Sequence, residues 1–92
     1  MAGNIVVFDL ETQRDMAEVG GRDFLYRVGV SVGVSYNLAT RRFRHYLEPE
    51  LGSLVEELCG ADLVVGFNIK AFDYPVLQGY TGRVLPALPT CD

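Results

Sequence analysis

The 92-residue chain predicts one small α/β domain with a mixed sheet, its elements ordered β-β-β-α-β-α. Three observations carry that expectation. The apolar run Ile5-Val6-Val7-Phe8 leads straight into Asp9-Leu10-Glu11, the pattern of a buried strand that ends in two carboxylates. Val28, Val30, Val32 and Val34 alternate with Gly29, Ser31, Gly33 and Ser35, a period of two. Leu51, Leu54, Val55 and Leu58 then recur at helical spacing ahead of another apolar strand, and such a strand–helix–strand crossover requires parallel pairing somewhere in the sheet.

In chain order, residues 4–10 read as a central strand buried on both faces. Residues 13–23 are polar, broken by Gly20-Gly21, and read as a loop. Residues 24–36 form the long alternating strand, with one branched face and one small face that admits a close neighbour. Asn37-Leu38-Ala39-Thr40 turns the chain, and residues 41–47 return as the antiparallel partner. Pro49 suits the start of the helix and Gly60 its end. Residues 62–67 are a short apolar strand. Asp73-Tyr74-Pro75 then predicts an N-cap and first turn of a second helix over roughly 73–79.

Composition bounds the function. Apolar residues make up 49% of the chain, which argues for a core, and the mean hydropathy is +0.16. A domain of this length buries only about 60–65% of its unfolded surface, so its stability is modest. The net charge of −4 gives no general attraction to nucleic acid or acidic membranes. No apolar run approaches the roughly 20 residues of a membrane span, and Met1-Ala2-Gly3-Asn4 lacks the basic start of a signal peptide. Cys59 and Cys91 fit no zinc spacing and are expected as reduced thiols, which points to a cytoplasmic protein.

Asp9 and Glu11 are two apart on a strand and so share a face, with Leu10 on the other. Two like charges at a buried strand end call for a hard cation such as Mg²⁺ or Mn²⁺, or for backbone amides. A further motif follows the fourth strand: Gly66-Phe67-Asn68-Ile69-Lys70-Ala71-Phe72-Asp73. Gly66 permits a close approach, Asn68 offers a donor and an acceptor, and Asp73 is either a further ligand or a plain helix cap.

Together the two motifs resemble those of the DEDD (DnaQ-like) 3′–5′ exonucleases of the ribonuclease-H-like superfamily. Val7-Phe8-Asp9-Leu10-Glu11-Thr12 is similar to the family's first motif, and Asn68 to Asp73 to its second. The closest variety is the exonuclease-like domains found beside helicase or nuclease segments. The resemblance implies a ribonuclease-H-like fold, of which residues 1–92 would be the N-terminal part. It implies a two-metal site with Asp9 bridging both ions, Glu11 on one and at the 3′ end, and Asp73 on the other. Thr12, Asn68 and Lys70 are the candidates for contact with the substrate, the 3′ end of DNA or RNA; otherwise Asn68 reads as a turn cap and Lys70 as a solvated loop residue.

No Tyr-x-x-x-Asp or His-x-x-x-x-Asp follows residue 73, so the third motif with its fourth carboxylate and base has no counterpart. Leu88-Pro89-Thr90-Cys91-Asp92 resembles the entry to the family's next strand, with Asp92 not the missing ligand. The chain is therefore expected to be a fragment, a truncated product or a degenerate copy, inactive or very weak alone. The alternative is a non-catalytic module that binds nucleic acid or protein, and the outsider is a small domain without metal. Unpaired sheet edges make a homodimer a further expectation. The basic cluster Arg41, Arg42, Arg44 and His45 reads as a solvated edge strand or a nucleic-acid contact. Phe8, Phe67 and Phe72 read as core.

Overall fold

A computed structural model describes residues 3–92. The judgement that no signal peptide is present rests partly on Met1 and Ala2, which lie outside those residues. Five strands form one mixed sheet in the order β3-β2-β1-β4-β5. β1 (Ile5–Thr12) is central, antiparallel to β2 (Val30–Asn37), which pairs in turn with β3 (Arg42–Leu47). On its other side β1 runs parallel to β4 (Leu63–Val65), and β4 runs parallel to the two-residue β5 (Thr90–Cys91). This is a small α/β domain with the strand arrangement of a ribonuclease-H-like sheet.

The helix α1 (Leu51–Cys59) supplies the crossover from β3 to β4. Its predicted stripe, Leu51, Leu54, Val55 and Leu58, is fully buried, as an amphipathic helix on a sheet requires. A Cβ on Gly33 would stand 2.9 Å from a Leu54 methyl and 3.2 Å from Leu10. The small face of β2 is thus where the helix approaches. Ser35 on that face donates a 2.6 Å hydrogen bond to Glu57 of α1, and the Tyr46 hydroxyl donates another of 2.7 Å to the same oxygen.

The long alternating strand is corrected in two ways. Residues 22–27 form 3₁₀ turns, and β2 begins only at Val30, after Gly29 takes a left-handed φ of 72°. The register then slips, with Glu11 opposite Val32 but Thr12 opposite Val30, so Ser31 is an extra residue. A bulge of one residue inverts the alternation. Val28 and Val30 therefore join the core, whereas Val32 and Val34 are only half-buried on the opposite face.

β1 is central as expected but is not buried on both faces. Val6, Phe8 and Leu10 are core; Ile5 and Val7 are half-buried, and Asp9 and Glu11 are exposed. Both helices pack on the first face, Tyr74 of α2 (Tyr74–Leu77) stacking on Phe8 with ring centroids 6.0 Å apart. Tyr36 and Phe43 pair on the other face, 4.6 Å between centroids, over a shallow cavity of about 170 Å³ that Val7, Asp9 and Val34 also line. No helix among the described residues is long and apolar enough to cross a membrane.

Candidate functional site

The carboxyl ends of the three parallel strands lie side by side, and each carries a residue singled out above. In open α/β sheets this is where ligands bind. Asp9 and Glu11 stand at the end of β1 on one face, with the buried Leu10 between them on the other, as the strand period requires. β4 stops at Val65 opposite Val7, which frees the edge of β1 just before Asp9. Gly66 fills the opening. A Cβ there would lie 2.4 Å from an Ile69 methyl and 3.1 Å from the Phe8 carbonyl oxygen, so no larger residue fits.

Asn68 next takes a left-handed conformation, φ 57°, that Asn tolerates better than most residues. The chain then makes one wide π turn, Ile69–Asp73, which runs directly into α2. Such turns gather at functional sites. Asp73 is therefore not the predicted N-cap: its backbone is helical, its side chain makes no capping bond, and the turn carries it back to β1. The helix expected over 73–79 starts four residues earlier, as the π turn, and its regular part is Tyr74–Leu77.

Asp73 is 4% exposed, and its Oδ2 has no hydrogen-bond partner among the described residues. Burial, and after it the neighbouring Asp9 carboxylate, push its pKa up to about 7. The backbone amides of Leu10 and of Asp73 itself oppose the rise, and Asp92 adds a smaller repulsion. A buried carboxyl beside a second carboxylate is the arrangement that keeps an acid protonated until a cation arrives.

The other candidates fall around this pair. Glu11 shares Asp9's face but is not among the groups that act on Asp73. The Thr12 hydroxyl donates to the Arg14 carbonyl at 2.9 Å and so closes a turn. The Asn68 side chain is exposed and makes no capping bond. The Lys70 amide donates to Asp92 Oδ2 at 2.9 Å, which ties the π turn to the end of β5. Residues 88–92 do enter a further strand, as their resemblance implied.

One residue expected in the core lies outside it. Phe67, taken as core, is 92% exposed, because β4 ends before it and Gly66 turns the chain outward. Phe8 is core and Phe72 packs against it. His45, distant from the acidic motifs in sequence, lies in the same cross-strand row as Asp9, with Val34 between them. Two strand spacings separate their backbones, about 10 Å. Arg42, Arg44 and His45 are exposed along the edge strand β3.

Whether these residues suit a divalent ion turns on Asp73. Its unpartnered buried oxygen beside Asp9 suits a hard cation, which would remove both the burial penalty and the repulsion. Among the described residues no three His, Cys, Asp or Glu side chains are gathered closely enough to hold an ion. The ready-made part is thus a pair, Asp9 and Asp73, with exposed Glu11 two residues from Asp9 on β1 and exposed Asp92 tied to the π turn through the Lys70 amide.

No protein-family model and no curated protein matches the sequence. Among solved structures the chain is similar to the family B DNA polymerase from the hyperthermophilic archaeon Pyrobaculum calidifontis, with a TM-score of 0.61 and 20% identity. The match covers 83% of this chain and 10% of the polymerase, so this chain spans about a tenth of that protein's length. The likeness is one of fold, that of a nucleic-acid-related protein's domain.

Proposed function

We propose that the chain carries the first two carboxylate motifs of a metal-dependent 3′–5′ exonuclease centre, acting on a nucleic-acid phosphodiester. The observation that carries this reading is Asp73: a buried carboxyl with one unpartnered oxygen, turned back by a π turn to meet Asp9. The fold likeness to a DNA polymerase supports a nucleic-acid setting. Asp9 and Asp73 would hold Mg²⁺ or Mn²⁺, and Glu11 would join them by a side-chain rotation open to an exposed residue. The ions would supply Lewis-acid stabilisation of the phosphate's developing charge. Asn68 and Lys70, on the loop after β4, would contact the strand's 3′ end.

No His or Tyr in these 92 residues holds the position of the third-motif base. Loss of a general base costs about 10²–10⁴ in rate. The expected result is slow, Mn²⁺-dependent shortening of a 5′-labelled single strand, abolished by Asp9→Ala and by EDTA. Product ladders on a denaturing gel give the answer.

A second reading is a non-catalytic ribonuclease-H-like module that binds nucleic acid or a protein partner; it is favoured by Asp9 and Asp73 being gathered as a pair, with no third ligand beside them among the described residues. Strand binding without shortening, unaffected by Asp9→Ala, would select it.

A further inference from the structure

α1 and α2 pack on one face of the sheet, against Gly33 and Phe8. Among the described residues no element covers the other face of β1, β2 and β3. Strand pairing sorts the side chains of that face into cross-strand rows. Val7, Tyr36 and Phe43 form one row, Asp9, Val34 and His45 the next, and Glu11, Val32 and Leu47 the third. Val7, Val32, Val34 and Tyr36 are only half-buried, and Phe43 and Leu47 are 67% and 59% exposed. A contiguous apolar patch of this kind marks an interaction surface. Its polar groups are confined to the flanking strands, two carboxylates on β1 and one imidazole on β3.

β2 is the midline of the patch, since β4 and β5 add only three and two residues beyond β1. A two-fold axis laid along β2 carries β1 of a second copy over β3 of the first and shifts no residue along the strands. Each row then meets itself in reverse. Val34 meets Val34 on the axis, and His45 of each copy stands over Asp9 of the other. Sheets stacked face to face lie about 10 Å apart, a gap that an imidazole and a carboxylate span together. The same operation sets Phe43 of each copy over Val7 of the other, where Val7, Asp9, Val34 and Tyr36 line the cavity of about 170 Å³. An aromatic ring thus arrives where a recess already exists.

We propose that this open face is a self-association surface, and that its occupant is a second copy of the chain in two-fold, face-to-face pairing. Such an interface is self-complementary, as two-fold symmetry requires. The free edge of β3 takes no part in it, and it stands apart from the nuclease reading. Strand spacing and rise give the patch roughly 14 × 20 Å on each copy. That size falls at the lower limit of specific interfaces, which begin near about 1,000 Å² in total, so the dimer is a reversible one in the micromolar range.

Sedimentation equilibrium in reducing buffer should show monomer and dimer exchanging with concentration. Phe43→Glu, at a side chain already exposed, should weaken association by about 30-fold or more, the loss of an aromatic anchor. His45→Glu sets a carboxylate against Asp9 at two symmetric places and should weaken it by about tenfold. Adding Asp9→Lys to His45→Glu should restore it. Wild-type circular dichroism spectra show that the variants fold. A wild-type chain that stays monomeric at millimolar concentration overturns the proposal, whether the face is bare or fits a different protein. A dimer that survives Phe43→Glu overturns it in favour of pairing through the β3 edge. A dimer that Phe43→Glu weakens, but that ignores both His45→Glu and the double variant, overturns the axis along β2.

Discussion

Asp73→Asn should abolish a loss of stability that the wild-type protein suffers as pH rises from about 4 to about 7. The folded chain holds a proton on Asp73 up to about pH 7, whereas an unfolded Asp releases it near 3.8. Between those values the folded state binds more protons than the unfolded state, so stability is full below the lower value and falls toward the upper. The slope approaches about 1.4 kcal/mol per pH unit, and the total is a few kcal/mol. Asn keeps the shape and removes the charge. The variant should be more stable than wild type at about pH 8 and nearly equal to it at about pH 4. Glu48, held below its usual range by the Tyr80 hydroxyl, acts in the opposite sense at more acid pH in both proteins. Urea midpoints measured across the range decide the matter, and parallel profiles for the two proteins would refute the account of Asp73.

Tyr74→Ala should cost about 3–5 kcal/mol, the usual loss for a buried aromatic. Tyr74 is fully buried, stacks on Phe8 next to Asp9, and its hydroxyl meets Thr90 Oγ1 at 2.7 Å. It therefore ties together α2, β1 and β5. β5 offers only two residues to the sheet, so this contact is a large share of what holds it. Native domains are stable by only about 5–15 kcal/mol, and the modest size of this one places it low in that range. The variant should be largely unfolded at room temperature by far-UV circular dichroism. Tyr74→Phe keeps the stack and should lose only about 1 kcal/mol, the worth of one hydrogen bond. A loss near 1 kcal/mol for both variants would show that the ring contributes little.

Local patterns were the legible part of this fold. The stripe of α1 and the opposed placement of Leu10 against Asp9 and Glu11 follow from helix and strand periods, and both are observed. The crossover from β3 through α1 to β4 implied a parallel pair, and β1–β4 is that pair. What failed depends on contacts distant in sequence. The bulge at Ser31 is set by how β1 and β2 pair, and nothing within residues 24–36 announces it. Phe67 has the composition of a core residue, and only the early end of β4 at Val65 exposes it. Asp73 followed by Tyr-Pro has the local signature of an N-cap; the π turn before it is enforced by Gly66, left-handed Asn68 and the bond from Lys70 to Asp92. The kinship of Asp9 with Asp73 was legible from the two motifs taken together. The elevated pKa of Asp73 was not, because burial is a property of the whole fold.

The central claim is that Asp9 and Asp73 form a cation-binding pair, and thermal unfolding with added metal tests it most directly. At about pH 8 Asp73 is ionised, buried and beside another carboxylate, so a bound cation gives its greatest relief there. A ligand at about 100 times its Kd stabilises by about 2.7 kcal/mol. In a domain of this size each kcal/mol raises Tm by roughly 4–8 °C. Mn²⁺ or Mg²⁺ at about 100 times its Kd should therefore raise the wild-type Tm by roughly 10–20 °C and leave Asp9→Asn and Asp73→Asn unmoved. A wild-type Tm indifferent to either metal, or the same rise in all three proteins, would contradict the claim.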